Sequence, residues 1–311
     1  MIDRDFLIPA QADADTKQGR LLFRYYKDRY AVMLLETILR PRLPIRTLRA
    51  GRYGRLLDRP AIKALAASRS DGWLDRDDLL MLWPQEFETY VLSFATWGSR
   101  KTCDRQWNQT SRSRRQLVLQ LNFSRRHDAE YRRLVCGAEN LPFVCGYHPV
   151  NLNGRNTMGW ARIDIDAASG EALIEEVQND WIRHAGEDLA DAIQGWGGFK
   201  EPAARDRLRI YVESILAPHA AMWSEAVLAA ALHVLIGLCG ISRVWFHDFD
   251  TGCKIKRIKG GKPPRSLYTD LPKRFCFEKT DEPPHFLLPA QPRWLRQKLK
   301  RREGRFWRFD A

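Results

Sequence analysis

The sequence predicts an α+β protein in which a mixed, largely antiparallel sheet is flanked by helices and preceded by a helical N-terminal region. Three observations indicate this fold class. Apolar residues recur at three- and four-residue steps over 19–39, which is helical spacing. Aromatic and β-branched residues fill 87–97, as in strands. Two apolar segments, 158–166 and 171–180, flank the short stretch 167–170, a pattern typical of an antiparallel hairpin.

The N-terminal region, 1–84, is predicted to be basic and helical. Its first helix spans 19–39 and stops at Pro41, because proline cannot continue a helix. Shorter helices are expected after Pro60 and over 75–83. Four arginines follow at three-residue steps and would form one basic stripe on a helix: Arg46, Arg49, Arg52 and Arg55.

A second region, 85–290, is predicted to hold the sheet, and a basic tail rich in aromatic residues, 291–311, is expected to follow it. Beyond the segments already named, the pattern predicts strands at 116–123, 141–150, 243–249 and 275–278, and helices at 125–135, 181–193, 223–238 and 266–271. The tail carries Trp294, Phe306, Trp307 and Phe309 between its cations.

The chain has 51 lysine and arginine residues against 38 aspartate and glutamate residues, a formal net charge of +13. Such an excess favours polyanions or other acidic partners, nucleic acid among them. A basic surface without a dedicated partner is the other interpretation, and both stay open. Three separated segments carry the cations that would contact a nucleic acid, namely 112–126, 254–262 and the tail.

The sequence also predicts a cytoplasmic location and no membrane span. Residues 1–20 lack the basic and apolar stretches of a secretory signal. The longest apolar run, 226–239, is too short to cross a bilayer. The six cysteines include no C-x-x-C pair, so reduced thiols are expected and a zinc ribbon is not.

One segment resembles part of large polyvalent proteins from phages and mobile elements. The resemblance rests on EEVQNDW at 175–181, on Trp223-x-Glu225, and on SLYTDLPK at 266–273, and it covers 158–279. Asn179 stands where that pattern usually has serine.

The order of elements, a hairpin, a helix, a strand, a helix with Leu-Tyr-x-x-Leu and a last strand, is similar to the GNAT-type N-acyltransferase fold. That resemblance implies acetyl-CoA or another acyl-CoA, whose pyrophosphate would lie on backbone N–H groups of a glycine turn. Two imperfect copies of the turn occur, at 183–188 and 194–199, with Asp188 and Phe199 at the last position. The cofactor-binding residues implied are Arg183, Gly186, Gln194, Gly197 and Gly198.

Acyl transfer to an amine needs a base for the amine proton and an acid for the leaving thiolate. Glu176 is the candidate base, and the resemblance implies Tyr268 as the acid. Because neighbouring strand residues point to opposite faces, Glu175 and Glu176 are expected to diverge, so that one faces a slot beside its strand. The alternatives are a salt-bridged strand glutamate and a core tyrosine.

The end of the same strand carries Gln178, Asn179, Asp180 and Trp181. Amide groups can read amides or bases, and an indole can stack on them; a hydrogen-bonded turn explains the residues equally well. Lys254, Lys256 and Arg257 are the cations assigned to a substrate or nucleic acid.

The leading functional prediction is therefore an acyl-CoA-dependent N-acyltransferase-like protein acting on an amine of a nucleic acid, a molecule bound to one, or a protein. The alternative is a nucleic-acid-binding protein without catalysis, in a phage-conflict or mobile-element setting. A third hypothesis is a hydrolase built on His247, Asp248 and Asp250, residue types that hold divalent metals.

Overall fold

A computed structural model of the chain describes residues 21–39, 41–135, 143–149 and 154–311. Its centre is an eight-stranded sheet in the order β1-β4-β5-β6-β7-β8-β10-β9, and β2 and β3 pair separately. The strands are β1 (Leu21–Tyr25), β2 (Arg42–Pro44), β3 (Trp73–Asp75), β4 (Glu88–Trp97), β5 (Gln116–Asn122), β6 (Thr157–Asp166), β7 (Glu171–Gln178), β8 (Arg243–His247), β9 (Glu278–Thr280) and β10 (Phe306–Asp310).

Helices pack around this sheet, so the predicted α+β class is confirmed. They are α1 (Arg29–Ile38), α2 (Ile45–Ala50), α3 (Pro60–Ser68), α4 (Arg76–Leu80), α5 (Arg105–Asn108), α6 (Arg125–Leu134), α7 (Trp181–Ile193), α8 (Pro202–Ile210), α9 (Ala217–Leu232), α10 (Phe249–Lys256), α11 (Ser266–Arg274) and α12 (Arg293–Lys300). The helix α9 continues as a π-helix to Leu238. The predicted hairpin is β6 and β7, and α7 spans the predicted 181–193.

All neighbouring strands in the large sheet are antiparallel except β7 and β8, which run parallel. A parallel pair needs a long crossover, and here α7, α8 and α9 supply it. The helix α9 lies against β6, where a side chain on Gly159 would press on Val227 at 3.0 Å. Glycine at this position therefore lets α9 approach the sheet closely.

The two faces of the sheet differ, since the face under α9 is apolar whereas the other combines polar side chains with a second apolar cluster that includes Leu173, Trp245 and Phe306. Gly159, Ala161 and Ile163 share the face under α9, so Trp160, Arg162 and Asp164 must point to the other side. We call that other side the polar face. It includes Gln120 of β5, which lies opposite Trp160 of β6, as well as Gln116 of β5 and His247 of β8.

The N-terminal region contributes a strand to the sheet, and the predicted boundary at 84/85 stays a prediction. The predicted helix 19–39 begins as strand β1, whose Phe23 and Tyr25 are buried while Leu22 and Arg24 are exposed, and which pairs with β4. The same apolar residues fit both this two-residue alternation and helical spacing, so the sequence did not distinguish the strand from a helix. Asp28, at φ 66°, separates β1 from α1.

The predicted arginine stripe is also broken, because α2 ends at Ala50 and a 3₁₀ turn follows at Gly54–Asp58. A side chain at Gly54 would collide with the backbone of Arg49, so the chain folds back tightly there. The strand predicted at 141–150 is absent from the described part, 143–149, and its remainder lies outside the described residues. The strand predicted at 275–278 starts only at Glu278.

The predicted basic tail belongs to the fold. Its residues form α12 and β10, and β10 lies between β8 and β9 within the sheet. Phe306, Trp307 and Phe309 are buried, so these aromatic rings are core residues and cannot stack on a ligand in this fold.

Within the described residues, one helix is long and apolar enough to cross a membrane, Ala217–Leu238. Its most apolar part is 61% buried inside the fold. That burial is what a core helix of a soluble protein requires, since the same apolar side chains already pack on the sheet.

Candidate functional site

A β-bulge in β7 positions the two glutamates. In the register of β6 and β7, Arg162 lies opposite Glu176 and Ile163 lies opposite Ile174, so Glu175 is the extra residue. Both glutamates bond to groups of the polar face, Glu176 to Arg162 and Glu175 to Gln116. The expectation that they point to opposite faces is therefore wrong, because the bulge interrupts the alternation.

Directly before this bulge, the pairing of β7 with its parallel neighbour ends, because β8 itself ends at His247. The pairing with β8 covers Glu171 to Ile174 and stops there, although β7 continues to Gln178. The carbonyl oxygen of Glu175 accepts a hydrogen bond from Lys256 Nζ at 2.8 Å. A lysine side chain from α10 thus satisfies the first strand carbonyl beyond the paired segment.

Glu175 lies in a closed polar network. Its carboxylate accepts bonds from Ser111 N (2.9 Å), Ser111 Oγ (2.8 Å) and Gln116 Nε2 (2.8 Å), and His247 Nε2 lies 3.1 Å away. His247 Nε2 is also 2.8 Å from Ser111 Oγ. All of these side chains are buried, so Glu175 cannot reach a substrate.

The protonation of this network follows from its surroundings. Burial lowers the pKa of His247, so we assign a neutral ring with its proton on Nε2. Burial alone would raise the pKa of Glu175, but the hydrogen bond to His247 and the charge of Lys256 hold that pKa far below its usual range. Glu175 is therefore an ionised, fully hydrogen-bonded carboxylate inside the protein, which is the form that burial tolerates.

Glu176, the predicted base, lines a cavity of about 850 Å³ at the open end of β7. Its Oε2 accepts from Arg162 at 2.8 Å, and 14% of its side chain is exposed. Among the described residues, Glu176 Oε1 receives no hydrogen bond, so this oxygen is available on the cavity side. The cavity is lined by Trp97, Trp107, Asn108, Gln109, Tyr147, His148, Trp160, Arg162, Glu176, Val177, Gln178, Asn179, Ile182, Arg183, Trp223, Gly261, Lys262, Pro263, Pro264 and Leu267.

Arg162 fixes the floor of this cavity. It is 1% exposed and donates to the backbone carbonyls of Asn108 and Gln109 as well as to Glu176. A buried guanidinium needs such partners to offset its lost hydration. The same guanidinium therefore also holds the segment around Asn108 against the sheet.

Tyr268, the predicted acid, lies close to the bulge but does not line the cavity; its neighbour Leu267 does. The tyrosine is buried, its hydroxyl has no hydrogen-bond partner among the described residues, and Lys256 Nζ lies 5.7 Å from its ring centre. Burial, followed by the charge of Glu176, raises its pKa well above the usual value. The charge of Glu176 therefore acts on the hydroxyl of Tyr268, although the tyrosine is shielded from solvent.

The polar residues at the end of β7 have different surroundings. Gln178 lines the cavity and donates from Nε2 to Asp180 at 2.9 Å. Asn179 Oδ1 accepts from Ile182 N at 2.8 Å and so caps the start of α7. Trp181 is fully buried and bonds to Tyr211, so the prediction that it stacks on a ligand is wrong.

Asp180 places a negative charge at the beginning of α7. Burial alone would raise the pKa of Asp180, but the hydrogen bond and charge of His148 lower it to about 2. Arg183 also donates to Asp180, at 3.1 Å. An ionised carboxylate at the helix start already uses the favourable end of the helix dipole.

Neither predicted glycine turn has the expected form. Gly186 lies within α7, and Gln194, Gly197 and Gly198 follow its C-terminal end, where backbone carbonyls rather than N–H groups are free. Both turns were predicted from the spacing of their glycines, and the spacing of glycines does not distinguish a turn from a helix. Arg183 alone of this group borders the cavity.

The predicted cations divide by exposure. Lys254 and Arg257 are exposed, whereas Lys256 is buried and bonds to Glu175, so Lys256 cannot contact a nucleic acid. The hydrolase residues do not converge either. His247 faces the Glu175 network, Asp248 pairs with Lys279 and Asp250 pairs with Arg265. No cluster of three or more metal-ligating side chains occurs in the part of the chain that the structure describes.

Arg162, Trp160, His148, Trp107 and Tyr147 are cavity residues that sequence reasoning did not select. A signal existed for Trp160 and Arg162, because they occupy alternate positions of a predicted strand. For the others no local signal existed, since distant loops bring them to the cavity. Comparison of the chain with protein-family models, curated proteins and solved structures finds no match.

Proposed function

We propose that this protein transfers an acyl group from an acyl-CoA to an amine bound in the cavity. The observation that carries the proposal is that β8 ends beside the two-glutamate bulge while β7 continues to Gln178. The cavity lies along this unpaired part of β7, next to the start of α11, with Glu176 on its floor. The slot is the feature that the resemblance to GNAT-type N-acyltransferases implies.

The residues present fit the cofactor in part. The backbone of β7 from Glu176 to Gln178 borders the cavity without a paired β8 residue, and Arg183 and Lys262 bring positive charge to it. These groups would hold the acyl arm and the phosphates. The expected glycine turn does not contribute, so phosphate binding would depend on side-chain cations. When bound, acyl-CoA supplies a thioester whose C–S bond breaks as the new N–C bond forms.

Glu176 accepts the proton that the amine loses in this scheme. Glu176 lines the cavity, and Arg162 fixes its carboxylate through Oε2, so that Oε1 can accept a bond from the amine. Tyr268 is the candidate donor of the proton that the thiolate takes up. Its hydroxyl is buried and unpartnered among the described residues, so the proposed role requires α11 to shift when the cavity is filled.

The test combines binding and turnover. Calorimetry with acetyl-CoA and with free CoA should show saturable binding, and acyl transfer to a panel of amines should be detectable by mass spectrometry. Glu176→Gln should lower the rate by about 10²–10⁴-fold, as loss of a general base does. Glu303→Gln is the control, because Glu303 is exposed and does not line the cavity. This substitution should leave the rate unchanged. Absence of acyl-CoA binding would refute the proposal.

A second candidate is a nucleic-acid-binding protein without catalysis. It is favoured by the carboxylate of Asp180 at the start of α7, where a cofactor phosphate would otherwise bind. This candidate predicts tight binding of nucleic acid that acyl-CoA leaves unchanged. A mobility-shift assay with nucleic acid, together with calorimetry on acetyl-CoA, separates the two candidates, because only the acyltransferase binds the thioester.

We also propose a cytoplasmic location. Supporting it, the five cysteines among the described residues are all free, as in a reducing compartment.

A further inference from the structure

Two large aromatic side chains at the cavity are almost fully exposed. Trp107 is 84% exposed and Tyr147 is 89% exposed, and both line the cavity. Trp97 and Trp223 line it as well and are half-buried. Exposed indole and phenol rings around one concave site are the groups on which a flat ring stacks.

The loop that reaches the cavity carries cations without ion-pair partners among the described residues. Lys262 lines the cavity, and Arg257 and Lys259 precede it on the loop between α10 and α11. All three are exposed, and none forms an ion pair with any residue that the structure describes. Asp250, at the start of α10, pairs with Arg265 rather than with one of these cations. Exposed cations without partners next to aromatic rings are the groups that hold the phosphates of a single strand.

The floor of the cavity offers hydrogen-bond acceptors. Gln178 donates from its amide nitrogen to Asp180, which orients its carbonyl oxygen away from that bond. Glu176 has Oε1 free, as described above. Two acceptors at the floor select a ligand edge that carries N–H donors, and in nucleobases the exocyclic amino groups of adenine, cytosine and guanine are such donors.

We infer that the cavity binds a single-stranded nucleic acid, with one amino-bearing base inserted toward Glu176 and Gln178. Trp107 and Tyr147 stack on the strand at the opening, and Lys262, Lys259 and Arg257 contact its phosphates. This inference deepens the proposed function by naming the acceptor, whose exocyclic amine would be the group acylated. The binding step itself requires no acyl donor, so it is measured separately.

The experiment uses the full chain and fluorescein-labelled octamers of A, C and U as RNA, and of dA and dT as DNA. Fluorescence anisotropy should show that A and C bind at least about fivefold more tightly than U, and dA more tightly than dT, because U and T lack the amino group. RNA and DNA with the same base distinguish the two sources of the strand. Binding should weaken steeply with salt.

Matched variants locate the site. Trp107→Ala should weaken binding of A about tenfold through lost stacking, whereas Trp294→Ala should not. Trp294 is 52% exposed on the cationic helix α12 and does not line the cavity. Lys262→Ala should reduce the salt dependence, whereas Lys298→Ala on α12 should leave it unchanged.

Several outcomes would overturn the inference. They are absence of binding, equal affinity for A and U, tighter binding of duplex than of single strand, and equal losses in the Trp107 and Trp294 variants. Displacement of the A octamer by acetyl-CoA would also overturn it, because the opening would then bind the adenine of the donor. Strand binding without acyl transfer would leave this inference standing and refute the proposed function. Acyl transfer to small amines without strand binding would refute this inference and leave the proposed function standing.

Discussion

Two adjacent parts of the polar face differ in what they do with the same residue type. Around Glu175, the closed part, a carboxylate is surrounded by Ser111, Gln116 and His247 and is sealed from solvent. Around Glu176, the open part, a carboxylate keeps one oxygen free on a cavity. The two parts differ because Glu175 is the extra residue of the bulge in β7, whereas Glu176 keeps its place opposite Arg162. The comparison shows that a bulge can assign one glutamate to structure and its neighbour to a site.

The largest expected effect comes from removing the charge of the closed part. Glu175→Gln should lower the free energy of unfolding by about 3–5 kcal/mol, since Lys256 and the donors of Ser111 would lose a buried anion. Glu176→Gln should cost less, about 1–3 kcal/mol, because the glutamine keeps an acceptor oxygen for the buried Arg162, which also bonds to two backbone carbonyls. Urea denaturation of both variants measures the difference. Equal costs would mean that the two parts do not differ as described.

Acid should affect the closed part first. Because the pKa of His247 is lowered, the unfolded chain binds a proton that the folded chain does not, so stability falls as pH drops below about 6.5. The lowered pKa of Glu175 has the same sign and adds a further loss below about pH 4.3. From pH 7 to pH 5 we expect a loss of about 2 kcal/mol from His247 at most.

The variant His247→Gln isolates that contribution, because other buried histidines such as His219 remain. Its unfolding free energy should vary less with pH between about 5 and 7 than that of the natural sequence. An unchanged pH dependence would show that His247 is not neutral in the folded protein.

The hydroxyl of Ser111 should have an intermediate effect. Ser111→Ala leaves Glu175 and His247 without a shared partner and should cost about 1–3 kcal/mol, as for other buried groups left unsatisfied. Ser169→Ala is the matched control, since Ser169 is exposed and bonds only to Asp166. Thermal unfolding of both proteins checks the prediction. A control that is as destabilised as the Ser111 variant would contradict it.

The smallest effect is expected at the opening of the cavity. Trp107→Ala removes a ring that is 84% exposed, so the free energy of unfolding should change by about 0.5 kcal/mol or less. Chemical denaturation measures it. A loss of several kcal/mol would place Trp107 in the core rather than at a binding surface.

Local patterns predicted the hairpin of β6 and β7, helix α7 and the position of Glu176 in β7. They could not predict the bulge, because an inserted residue leaves no mark in a run of alternating side chains. Nor could they predict the closed part, whose members Ser111, Glu175 and His247 are far apart in sequence. The aromatic residues of 306–309 were read as a ligand surface because composition does not reveal whether a segment joins a sheet.

The position of β10 has a consequence for the newly made chain. β8 and β9 leave the ribosome before β10, yet β9 joins the sheet only through β10. Until Phe306 to Asp310 are synthesised, the outer edge of β8 has unpaired backbone groups along Arg243 to His247. Such an edge is prone to pairing with other chains. Formation of this part of the sheet therefore waits for β10, although β8 and β9 are made earlier.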